Sequence, residues 1–189
     1  YVAALVNGRL VELSEPINAD AEVQPITLKE AVGRRVYQNS LILLLIAAVQ
    51  DCFPAACVAV DHSLTFGGFF CRPLNRPAFT PEELAQIEAR MRQLVAQDAP
   101  IGQKTLPTAQ AIEEFRANGD EAEIRLLAGR QVETVTFRTL GQAQECFYGP
   151  LAPSARYLRH FAVKPYPPGF VLQFPPSGQI TGLGRVQHY

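Results

Sequence analysis

Nine consecutive apolar residues, Leu41 to Val49, constrain this 189-residue chain more than any other feature. Read as a helix, the stretch is apolar on every face, so it has to be buried on most sides. The expected helix runs from Tyr37 to Cys52, with Asn39 or Ser40 as its cap and Pro54 as its stop. Arg34-Arg35, just before it, reads as a solvated turn. The run is far short of the ~20 residues that cross a bilayer. The expectation is therefore a core helix in a cytoplasmic protein with no membrane partner.

A helix of this kind needs other elements around it. Val2 to Val6, Asn7-Gly8 and Arg9 to Leu13 form a hairpin signal, because Asn-Gly supplies the two positive-φ positions of a type I′ turn. Glu22 to Thr27 follows as a short strand. Three strands make no core alone, so this unit is half of a small domain or leans on the rest. Cys57 to Val60 and Gly68 to Cys71 are strand candidates on either side of a turn. Thr80-Pro81-Glu82-Glu83 is a capping box with proline at the first helical position, followed by Leu84, Ile87, Met91, Leu94 and Val95 at helical spacing. A second amphipathic helix is expected from Thr108 to about Arg116, closed by Asn118-Gly119. Ile124 to Leu127, Val132 to Arg138 and Phe170 to Phe174 read as strands. The fold class is α+β: antiparallel sheet around a buried central helix, with two surface helices.

A net charge of -1 gives no overall attraction to a phosphate backbone, so any nucleic-acid contact must rest on a local patch. Cys52, Cys57, Cys71 and Cys146 form no C-x-x-C pair and have no histidine in metal-ligand rhythm, which predicts reduced, buried thiols and no metal site. The chain opens inside a strand pattern, and Pro175 to Gly184 is a Pro/Gly-rich stretch. Both ends therefore read as cuts in a longer polypeptide.

Val6-Asn-Gly-Arg-Leu-Val-Glu-Leu-Ser14 resembles the second half of a TGS domain, the β-grasp module at the front of threonyl-tRNA synthetases. The segment after it is similar to the second additional domain that those enzymes use for editing. Asn39-Ser-Leu-Ile-Leu43 with Cys52-Phe-Pro54 matches the family's H-S-T-A-H helix and its Leu-Phe-Pro end. Gly67-Gly-Phe-Phe-Cys71, Phe79-Thr-Pro-Glu-Glu-Leu84 and Phe147-Tyr-Gly-Pro-Leu151 match its next strand, acidic helix and Cys-Arg-Gly-Pro-His loop. The resemblance implies that the four positions carrying His, His, Cys and His in the family are Asn39, Leu43, Phe147 and Leu151. Leucine and phenylalanine bring neither lone pairs for a metal nor a base for a proton. Cys146 stands one residue from the family's cysteine position, which on an extended segment turns its side chain to the opposite face. No catalytic residue is expected.

Val36-Tyr-Gln-Asn-Ser-Leu41, Cys146 to Ser154 and Lys164-Pro-Tyr-Pro-Pro-Gly-Phe-Val-Leu172 are also similar to the front of a bacterial nucleoside kinase family, in which a TGS and synthetase-like region precedes a uridine-kinase-like P-loop domain. This resemblance implies residues 1–31 as a partial TGS-like unit, 32–174 as the second-additional-domain-like unit, and 175–189 as a linker toward a C-terminal kinase domain. ATP and magnesium would belong to that domain. The chain has no G-x-x-x-x-G-K-[ST], and Gly182-Leu-Gly-Arg185 lacks the lysine and the length to cradle phosphates.

Three candidate sites remain open between a structural and a functional reading. Asp61-His62-Ser63 is a strand end or turn, or else a polar cluster lining a pocket; neighbours on a strand point apart, so it is no triad by itself. Tyr148, Arg156, Tyr157, Arg159, His160, Lys164 and Tyr166 form a basic and aromatic stretch, either a solvated loop or a surface for RNA or a small ligand. Gly149-Pro150 is a rigid loop that packs, or walls an apolar pocket. Three functions follow: a non-catalytic regulatory or substrate-recruiting part of a nucleoside kinase, sensing a nucleoside or nucleotide; a tRNA-binding module; or a trans-editing deacylase. The first is the expectation.

Overall fold

The computed structural model describes residues 1–118, 124, 125, 127, 129 and 133–186. In chain order its elements are β1 (Ala3–Val6), β2 (Arg9–Val11), β3 (Val23–Ile26), α1 (Ala31–Cys52), β4 (Val58–Leu64), β5 (Gly68–Pro73) and α2 (Pro81–Ala96). Then come β6 (Gly102–Pro107), α3 (Thr108–Asn118), β7 (Thr134–Leu140), β8 (Ala143–Glu145), a 3-10 turn (Ala155–Tyr157), β9 (Ala162–Tyr166) and β10 (Gly169–Gln173). The strands form antiparallel sheets of order β2-β1-β3, β4-β5-β10-β9 and β6-β7-β8. The α+β expectation holds, with the strands divided among separate sheets.

Asn7 and Gly8 take the two positive φ values, 50° and 79°, that a two-residue hairpin turn demands. Asn7 also ties in the third strand: its N–H donates to the Glu22 carbonyl, and its Oδ1 accepts from the Glu22 N–H, both at 2.9 Å. Val2, Ala3, Ile26 and Leu28 are buried in the same cluster as the helix core. The front sheet thus leans on α1.

Helix α1 begins at Ala31, well before the expected Tyr37, and its cap position is Glu30. Asn39 and Ser40 are interior: the Ser40 hydroxyl donates to the Val36 carbonyl at 2.7 Å. Arg34-Arg35 belongs to the helix, where Arg34 donates to the Lys29 carbonyl at 2.7 Å. The Glu30 carboxylate accepts from the Thr27 hydroxyl and backbone N–H at 2.7 and 2.8 Å, bonds that lower its pKa. The whole 22-residue helix is long and apolar enough to cross a bilayer, which corrects the length argument made from the nine-residue run alone. In this fold 61% of its most apolar window is buried by other elements.

Close approach of β3 to α1 depends on Gly33. A Cβ there would lie 2.0 Å from the Thr27 carbonyl oxygen, a backbone atom that cannot rotate away. Gly33→Ala is expected to lower stability by about 1–3 kcal/mol despite alanine's better helix propensity. Thermal melting checks it; a melting point at or above that of the parent would mean the contact relaxes freely.

Helix α2 has the expected capping box, with Thr80 Oγ1 accepting from Glu83 N–H at 3.2 Å and Glu83 Oε2 accepting from Thr80 N–H at 2.9 Å. Leu84, Ile87, Met91 and Leu94 are its buried face. Cys71, Phe170 and Leu172 on β5 and β10 belong to the same core as α1 and α2.

A smaller core joins α3 to the third sheet through Ala111, Phe115, Val135 and Phe137. Ile124, Arg125 and Leu127 are helical, not a strand. Ile124 and Leu127, three apart, both pack on this small core, as one face of a helix allows. Strands β6 and β8 were not anticipated: β6 is an exposed edge strand without apolar alternation, and β8 is three residues long. Gly119 of the expected cap and Val132 of the expected strand lie outside the described residues. Lys164 and Tyr166 stand on β9 rather than in a loop, and Asp61-His62-Ser63 lies within β4, beside a bulge between Val60 and His62.

Candidate functional site

Helix α1 and the loop after β8 carry the four positions that the family resemblance singles out, Asn39 and Leu43 on the helix and Phe147 and Leu151 on the loop. Ala152 N–H donates to the buried Ser40 hydroxyl at 2.9 Å, which hangs the loop on the helix beside Asn39. Leu43, one turn further along, and Leu151 are each 0% exposed and belong to the main core. Phe147 is half-buried and packs on that core, and Asn39 is half-buried. Cys146 packs instead on the small core of α3 and β7. Among the described residues no three His, Cys, Asp or Glu side chains are grouped to hold a metal.

The same loop is anchored by a charge pair that sequence inspection missed. Glu12, just past β2, accepts from the Leu151 N–H at 3.1 Å and pairs closely with Arg138 of β7; their side chains are 22% and 12% exposed. Arg138 also donates to the Gly149 carbonyl at 3.3 Å and to Gln103 Oε1 at 3.2 Å. These groups border a polar cleft of about 520 Å³, which Pro150 helps to wall. More than a hundred residues of chain separate Glu12 from Arg138, so no local spacing could have pointed to the pair.

The basic and aromatic stretch is divided by the fold. Arg156, Tyr157, Arg159 and His160 line one cleft of about 380 Å³ together with Tyr37. Lys164 lines another, between α2 and β9. Tyr148 is 70% exposed on the loop after β8. His62 lies across the four-stranded sheet, its ring 5.4 Å from that of Phe70, and the neighbouring Asp61 pairs with Arg72 at 2.8 Å. Tyr166 stacks edge-on to Phe70 at 6.0 Å. Of the thiols, Cys71 is buried and pushed up to about 12 by desolvation, and Cys52 is half-buried. Cys57 is exposed, contrary to the expectation of buried cysteines.

No family model matches the chain. Among curated proteins it is 35% identical over 161 residues to the threonine–tRNA ligase of Methylococcus capsulatus, covering 85% of this chain and 25% of that protein. The same-named protein of Methylibium petroleiphilum is 33% identical over 157 residues, covering 82% and 25%. The chain is threonyl-tRNA-synthetase-like.

This synthetase-like domain spans about a quarter of the length of the curated relatives it matches. The synthetase-like domain holds its fold while Leu43 and Leu151 occupy the core.

Proposed function

We propose that this region is a non-catalytic accessory domain of a nucleoside kinase, descended from a synthetase editing domain whose site has become part of the core. The observation that carries the loss of chemistry is the complete burial of Leu43 and Leu151 in one apolar cluster. A hydrolytic site needs a base or a metal within reach of a bound ester and a path for water. Two leucines without exposed surface supply none of these. The kinase host is supported by the resemblance of Val36 to Leu41, Cys146 to Ser154 and Lys164 to Leu172 to the front region of those enzymes. On this reading the domain is cytoplasmic, its partner is its own kinase domain, and ATP and magnesium belong there.

The chain incubated with seryl-tRNA mischarged on a threonine tRNA is expected to release no serine above the spontaneous rate. Turnover that disappears in a His62→Ala variant would overturn the loss of catalysis. The kinase half is tested separately by the gene downstream of Tyr189. A G-x-x-x-x-G-K-[ST] motif there, with ATP-dependent phosphorylation of uridine by the whole polypeptide, supports it; a downstream frame without a P-loop overturns it.

A further inference from the structure

The cleft beside Tyr37 is bordered by a backbone turn that side chains of two helices fix in place. The Tyr37 hydroxyl accepts from the His160 N–H and donates to the His160 carbonyl, both at 3.0 Å. Burial pushes Tyr37 up to about 12, so it keeps its proton and serves as a donor across the neutral range. Arg92 of α2 donates to the carbonyls of Arg159, at 3.3 Å, and Phe161, at 2.5 Å. Three consecutive residues thus have their backbone fixed by side chains from two helices, while the Arg159 side chain stays at the surface. A fixed turn that presents an exposed cation is preorganised, and preorganisation lowers the cost of binding.

The charges in the cleft are unequal in their engagement. Arg156 lies 3.4 Å from Asp98 and 5.3 Å from the centre of the Tyr157 ring. Arg159 donates its Nε to the Arg156 carbonyl at 3.0 Å, and among the described residues no carboxylate pairs with it. Its terminal nitrogens form the planar fork that suits a phosphate. Tyr157 and His160 add rings to the lining, Val2 and Leu28 add apolar side chains, and the volume of about 380 Å³ lies in the range of small-ligand sites.

We infer that this cleft binds a nucleoside monophosphate unit, with its phosphate on Arg159 and its base against Tyr157 and His160. The inference deepens the accessory-domain reading and rests on it, since it supplies what such a domain would sense. The unit can come from a free nucleotide or from the 5′-phosphorylated end of an RNA strand; the chemistry recognised is the same.

Calorimetric titration of the chain with uridine 5′-monophosphate, inorganic phosphate and a short 5′-phosphorylated single-stranded RNA tests it. Saturable binding is expected for the nucleotide or the RNA, weakened at least about tenfold by Arg159→Ala, as loss of a charged hydrogen bond implies. Arg159→Lys keeps the charge without the fork and should fall between. Lys164→Ala, in the other cleft, should bind like the parent. Binding by the RNA alone identifies the strand end as the source; binding by the mononucleotide identifies the free ligand. Inorganic phosphate binding as tightly as the nucleotide overturns the base contact. No saturation by any probe below about 10 mM, or unchanged affinity in Arg159→Ala, overturns the site. The accessory reading fails by a different measurement, release of serine from mischarged tRNA, so the two failures are distinguishable.

Discussion

Leu43→His is expected to destabilise the domain by about 3–4 kcal/mol, the combined effect of losing a buried leucine and enclosing an imidazole with no partner. The resemblance implies a histidine at this position in the synthetases, so the substitution tests whether the fold can still accept one. Leu43 is fully buried within the cluster that includes Leu44, Leu151 and Leu172. Leu43→Met, which keeps volume and apolarity, should cost less than about 1.5 kcal/mol. The loss should also deepen in acid. An imidazole enclosed by apolar side chains has a folded-state pKa below its unfolded value of about 6.5. As pH falls through that unfolded value, the unfolded chain takes up a proton that the folded chain refuses, so stability drops. Urea titrations at pH 8 and pH 5.5 check both points. A variant as stable as the parent, with no pH dependence beyond it, would show that the position still opens to water.

Arg138→Ala should cost about 2–3 kcal/mol, because it leaves the Glu12 carboxylate mostly enclosed without its cation. The pair connects the front sheet, β7 and the loop that carries Leu151, through the Leu151 N–H and the Gly149 carbonyl. Glu12→Leu combined with Arg138→Met should recover most of the loss, since a matched apolar pair leaves no orphaned charge. The coupling between the two positions should exceed about 1 kcal/mol in a double-mutant cycle. Additive single effects would mean that the pair is solvated, and would remove it as the anchor of the loop.

Several elements were legible from local pattern. The Asn7-Gly8 hairpin, the α2 capping box and the apolar periodicity of Leu84 to Leu94 each depend on residues close in sequence, and each forms where that chemistry demands. The start of α1 was not legible. Arg34 and Arg35 look solvated in isolation, yet Gly33 and Val36 on the same turns are buried against the rest of the fold. Ile124 to Leu127 looked β-like because a short apolar run suits either structure, and the packing partner on the small core decides between them. Strand β6 carries little apolar signal at all; it forms because β7 offers it a ladder of hydrogen bonds.

The candidate site divides in the same way. That Leu43, Phe147 and Leu151 cannot perform acid–base or metal chemistry follows from side-chain identity, which no fold can alter. The sequence alone determined the inertness of those three side chains, together with a buried helix at the centre. Only the tertiary structure could decide that Leu43 and Leu151 share one core, that Glu12 meets Arg138, and that Arg159 and His160 line one cleft while Lys164 lines another. The reason is distance along the chain. Periodicity and capping act over a few residues, whereas each of these meetings joins segments whose approach is set by the packing of sheets and helices that lie between them.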